Sequence, residues 1–221
     1  MKKLLLAFVA VAIALPTLAQ KNFEGTIKFS LTYEDLPAEM AAMEAMLPDE
    51  MTTIIKGDKS RLEQSMGMGM SSVTITDMKK GSGIVLMDMM GKKIAMEMTK
   101  DELEKMNKKK ATEKKPEFKY TDETKEIAGY KCKKAIIVME GAGELEVYYT
   151  EDLPSGANKQ FEGLKGFPLE YKIAQGPMKI KVSATSVKTE KVDKNLFEMP
   201  DGYDKMSFEE FQKQMGGMMG G

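Results

Sequence analysis

The chain has 221 residues, 30% of them charged, with 33 lysines and arginines against 34 aspartates and glutamates, a net charge of −1. That balance argues against a nucleic-acid partner. The chain has no histidine, so it lacks the commonest general base and the commonest zinc ligand, and Ser-His-Asp and Cys-His catalysis are excluded.

Residues 1–19 read as a secretory signal peptide. Lys2 and Lys3 form a positive start, Leu4 to Leu15 is an apolar run, and Pro16 breaks it. Thr17 and Ala19 place small residues before a cut after Ala19. The cut removes Lys2 and Lys3, which takes the 33 basic residues to 31 against 34 acidic. An exported protein is expected, periplasmic or secreted. No later stretch is apolar for ~18 residues, so no membrane span is expected. Residues 20–205 are expected to form one domain, and 206–221 a short helix with a Gly/Met tail.

"FEGTIKFSLTYEDLP" alternates, with Ile27, Phe29, Leu31 and Tyr33 on one face of a half-buried strand. The period then changes. Pro37 opens a short amphipathic helix carrying Met40, Ala42, Met43, Met46 and Leu47, and Pro48 ends it. Strands resume at "MTTIIKG", turn at Gly57-Asp58, and run on through "KSRLEQSMGMGM" and "SSVTITDM". Lys79-Lys80-Gly81 and Gly91-Lys92 turn the chain into "GIVLMDMM" and "KIAMEM". Such spacing is that of an antiparallel meander.

Thr99 to Glu102 is a capping box that opens a helix bearing Leu103 and Met106. The lysine-rich stretch "NKKKATEKKPEF" is read as a solvated loop, its charge diluted by the acidic residues around it. Strand-like segments follow: "YKCKKAIIVME", "GELEVYYTEDLP", "FPLEYKIA" and "MKIKVSATSVKTEKV". The lone Cys132 cannot form an internal disulfide, and it is expected to be buried and inert. Ser207 to Glu210 is a second capping box. The whole reads as a mainly β, antiparallel sheet with two or three short helices.

The methionines are the candidate site. Met66, Met68 and Met70 recur at period two, as do Met87 with Met89 and Met96 with Met98, so on strands each set shares a face. Three readings stay open. Thioethers favour Cu(I), and without histidine such a site would be sulfur-only. Methionine also lines pliable apolar cavities, because it is unbranched and polarizable. The third reading is ordinary core. No catalytic residue, metal ligand set or cofactor is expected. Carboxylates are plentiful, but Asp35, Asp152 and Asp201 sit in turn-like contexts and no pair falls in a motif.

The second half resembles the exported bacterial proteins of the domain-of-unknown-function 4412 family, related to the GLPGLI group, over about residues 22 to 205. Gly129-Tyr130-Lys131-Cys132, Tyr149-Thr150-Glu151-Asp152-Leu153-Pro154 and Leu164-Lys165-Gly166-Phe167-Pro168 carry the resemblance. The last departs from the GLPGLI turn, which favours the first family. The resemblance implies a LolA/LolB-type antiparallel half-barrel, with the short helices covering its concave face. It implies no catalytic set. A non-enzymatic carrier for an apolar, acyl or lipid-like ligand in the cell envelope is the expected function, with envelope proteins as further partners. A methionine-based copper or redox-buffering protein is the alternative.

Overall fold

The computed structural model describes residues 23–34, 36, 44–102, 117–139, 143–153, 161, 163–175 and 178–211. Among the described residues twelve strands form one sheet: β1 (Glu24–Glu34), β2 (Glu50–Lys56), β3 (Lys59–Met66), β4 (Met70–Asp77), β5 (Ser82–Met89), β6 (Lys92–Met98), β7 (Glu117–Ile127), β8 (Tyr130–Met139), β9 (Gly143–Thr150), β10 (Phe167–Gln175), β11 (Met178–Thr189) and β12 (Asp204–Lys205). Their order is β12-β6-β5-β4-β3-β2-β1-β11-β10-β9-β8-β7. Every pairing is antiparallel except the short parallel contact of β12 with β6. The fold is therefore mainly β and antiparallel, as expected, and the sheet is open, with β12 and β7 at its two edges.

The meander follows from alternation broken by turn residues. Gly57 and Gly91 take φ of 57° and 94°, a region costly for side chains with a Cβ, and each closes a hairpin. The expected run of strand through Met70 is corrected here. Residues Gly67–Gly69 form a single 3₁₀ turn between β3 and β4, with Met68 at φ 62° and ψ 25°. Strand β7 is a second correction, since residues 117–127 fall between the segments expected to be strands. Their charged, weakly patterned sequence belongs to an edge, where one side of the ladder faces solvent.

Two core clusters pack on the sheet. The larger gathers Ile27, Phe29 and Ile55 with Ala135, Val147, Tyr171 and Val182. The smaller gathers Ile54, Ile75, Leu86 and Ala95 with Val192 and Phe197 from the chain after β11. That C-terminal segment thus crosses the opposite face of β2–β6 before ending as β12. Beyond β11 the sheet coils. Lys125 on β7 reaches Glu170 on β10 at 2.8 Å, although a flat sheet would hold those strands about 14 Å apart.

Both capping boxes form. Glu102 N donates to Thr99 Oγ1 (3.3 Å) while Glu102 accepts from Thr99 N (2.8 Å), and Ser207 and Glu210 repeat the exchange at 3.2 and 2.9 Å. The body of the helix expected from Pro37, with Met40 and Met43, lies outside the described residues. So do Leu103, Met106, the lysine-rich loop up to Pro116, residues 1–22 and the tail after Phe211.

Candidate functional site

Strand register decides where the methionines point, because residues directly opposite each other share a face. From β1, Ile27 faces Thr53 and Phe29 faces Met51. Thr53 faces Leu62, Leu62 faces Thr74, Thr74 faces Val85, and Val85 faces Met96. Met66 pairs with Met70, Ser72 with Met87, and Gly83 with Met98. Met89 lies two residues past Met87 on the same strand. Stepping by two along each strand puts Met66, Met70, Met87, Met89, Met96 and Met98 on one face. It is the face that carries Ile27 and Phe29, and it is opposite the face covered by Phe197.

Met68 is the exception. It sits at the hairpin tip and is 63% exposed, so it does not point into the face with its neighbours. Two glycines around one residue are the composition of a three-residue hairpin loop, and that signal could have separated Met68 from the strand pattern. The opposed pairing of Met66 with Met70 across this loop preserves the shared face that period two implied.

Burial grades along the face. Met96 and Met98 are buried near the β6 edge, whereas Met66, Met70, Met87 and Met89 are half-buried near the hairpin tips. The accessible end is therefore a patch of flexible thioethers on three adjacent strands. It can conform to an apolar chain by dispersion contact, since methionine adapts its shape at small cost. Among the described residues no group of three His, Cys, Asp or Glu side chains could hold a metal ion.

Several ionisable groups elsewhere are engaged with one another. Glu170 is buried and accepts from Lys125 Nζ (2.8 and 3.0 Å) and Ser183 Oγ (2.8 Å), with Lys181 at 3.5 Å. Burial pushes its carboxyl up, but the Lys125 ammonium and Ser183 hydroxyl outweigh this and hold it below the usual range. Lys134 pairs with Glu123 (3.1 Å) and Glu146 (2.6 Å), and the Tyr148 hydroxyl donates to Glu123. These contacts tie the coiled end together.

Cys132 is fully buried, with Sγ 3.6 Å from Tyr130 O. Burial, reinforced by the Glu170 and Asp152 carboxylates, pushes its thiol up to about 11. A thiol that stays protonated at neutral pH is a poor nucleophile and a poor metal ligand.

The family model that matches is described as "N-glycanase peptide, N-terminal domain", and it covers residues 91–209. It differs from the family that the second-half motifs resembled. No curated protein is similar enough to count as a match. Among solved structures, PNGF-II in a C2 crystal is 22% identical at a TM-score of 0.49, covering 84% of this chain and 31% of that one. The chain thus spans about a third of that protein's length. An uncharacterized conserved protein from Thermus thermophilus is 8% identical at a TM-score of 0.49, covering 85% of this chain and 93% of that one. LprF from Mycobacterium bovis is 8% identical at 0.38, covering 83% and 92%. At these scores the likeness fixes no detail of this chain. Among the described residues no helix is long and apolar enough to cross a membrane.

Proposed function

The chain belongs to the family of N-glycanase N-terminal domains, and from that premise we propose that it is a non-catalytic binding module of the cell envelope. Its ligand is an apolar, acyl or lipid-like molecule held against the methionine face of β3–β6. The observation that carries this reading is the gradient on that face, from buried Met96 and Met98 to half-buried Met66, Met70, Met87 and Met89. A row of thioethers that runs from packed core to solvent-reaching surface offers one continuous apolar track. Leucine would supply the same apolar area with less conformational freedom, so methionine suits a ligand of variable shape.

A non-catalytic role is supported by the chain's lack of histidine. It is also supported by the way Glu170, the buried carboxylate of the core, is held in its charged form by lysine and serine partners. A pre-paired carboxylate of lowered pKa makes a weak general base. The proposed setting is outside the cytoplasm, a reading supported by the signal-like pattern of residues 1–19.

The pairing of Met66 with Met70 favours one second reading, a soft-metal site for Cu(I) built from thioethers at the hairpin. Native mass spectrometry of protein purified from its own host separates the two. A mass increment that matches lipid and disappears on solvent extraction is expected. A copper increment transfers the site to the second reading, and the bare protein mass contradicts both.

A further inference from the structure

The strand register that groups the methionines also sorts the charges. Arg61 pairs with Ile54, Glu63 with Thr52, Asp88 with Lys93 and Glu97 with Ile84, so each points to the face that Phe197 covers. Lys92 is the exception. It stands directly opposite Met89, and Ile94 and Met96 follow it at period two. Among the described residues it is the one charged side chain that β1 to β6 place on the methionine face. The polar side chains that share this face, such as Thr53, Gln64, Ser72 and Thr74, are uncharged.

The turn before Lys92 fixes that placement. Met90 and Gly91 both take positive φ, 57° and 94°, the conformation of a two-residue hairpin loop, and such a loop sets the register of its strands. Asp88, the nearest acidic residue in sequence, lies on the other face, where its Oδ1 accepts from Gly91 N at 2.8 Å. Lys93 also lies on that face, with its ammonium 5.8 Å from the Tyr203 ring centroid. Among the described residues no carboxylate pairs with Lys92. It is exposed, at the open end of the face, where burial falls away from Met96 and Met98 toward Met89.

An unpaired ammonium at the wet end of an apolar track has a direct chemical complement. A lysine can lay its stem along apolar surface and keep its charge in water. A ligand with an apolar tail and one negatively charged head meets both features without burying a charge. From β6 to β3 the track crosses three strand spacings, about 14 Å, which a long-chain tail spans and a small anion does not. One ammonium balances one negative charge. That favours a carboxylate over a phosphate monoester, which carries about −1.5 to −2 at neutral pH. We propose that the ligand of the methionine face is a single-chain carboxylate of the fatty-acid class, with its head at Lys92 and its tail along Met89, Met87 and the Met66–Met70 pair. This inference rests on the apolar-ligand reading and adds the sign and the position of the ligand's charge.

The test is calorimetric titration of the full chain with laurate and with dodecanol, its uncharged counterpart, at about 0.15 M salt, where exposed charges more than about 8 Å apart are screened. The quantity read is the ratio of the two affinities, which isolates the coupling between head and side chain. Lys92→Met should lower the laurate-to-dodecanol ratio about two- to fivefold, the size of an exposed ion pair. Lys92→Glu should lower it further through like-charge repulsion. Lys93→Met removes the same charge one residue away on the other face and should leave the ratio unchanged. Both lysines are exposed, so the variants are expected to fold. A ratio equal in the wild type and Lys92→Met, or lowered as much by Lys93→Met, overturns the proposal and leaves the apolar-ligand reading standing. Failure of the wild type to bind either probe overturns that reading, and this one with it.

Discussion

Met68 and Met90 adopt φ of 62° and 57° and are 63% and 71% exposed. A methionine in the left-handed region costs of order 1 kcal/mol relative to a residue that tolerates it. Met68→Asn is therefore expected to raise stability by roughly 0.5–1 kcal/mol in chemical denaturation. Met68→Asp should be nearly neutral, because its carboxylate stays in water. A loss of about 2 kcal/mol or more, the cost of an unpaired buried carboxylate, would mean that Met68 faces inward after all. Cys132 gives a second check. With its thiol buried and its pKa pushed up to about 11, it should react with a thiol reagent at about pH 8 only after denaturation. Rapid labelling of the folded chain would contradict that placement. Its burial could be read from the alternation around it, whereas the backbone conformation of Met68 could not be read from side-chain period alone.

At the scale of elements, the C-terminal segment is clamped by charged side chains that hydrogen-bond its backbone, contacts that no local pattern announces. Glu24 on β1 pairs with Lys56 on β2, and its carboxylate also accepts from Val192 N at 2.6 Å. Lys56 Nζ donates to Val192 O at 2.7 Å, and Arg61 Nη1 donates to Leu196 O at 2.9 Å. The Lys56 ammonium, then the Val192 amide, hold the Glu24 carboxyl below its ordinary range. Its folded pKa lies below its unfolded one, so its contribution is present above about pH 4.3 and is lost as pH falls through the folded value. Thermal melts should show the wild type losing stability faster than Glu24→Gln as pH falls below about 4.3. Parallel acid profiles would count against the clamp. Phe197, buried where this segment meets β2–β6, should cost about 3 kcal/mol when changed to alanine. The hairpins at Gly57 and Gly91 and both capping boxes were legible, since turn and cap chemistry is local. Strand β7 and the parallel β12 were not, because edge strands are set by the partner they meet rather than by their own alternation.

For the whole molecule, one sheet serves two purposes. One face of β2–β6 is closed by the returning C-terminal segment, and the other carries the methionine row. Period two groups Met87 with Met89 and Met96 with Met98 within their own strands, but only the register of β3 to β6 puts these pairs on one face with Met66 and Met70. Period two could not say whether the grouped face receives a ligand, since burial against other parts of the chain is a tertiary property. The most direct measurement is titration of a fluorescent long-chain fatty acid into the wild type, Met87→Leu and Met87→Asp, with circular dichroism confirming that each is folded. Saturable binding is predicted for the wild type and Met87→Leu, and it should be lost in Met87→Asp, where a carboxylate interrupts the apolar track. No saturable binding by the wild type, or binding undiminished in Met87→Asp, would contradict an apolar ligand on the methionine face.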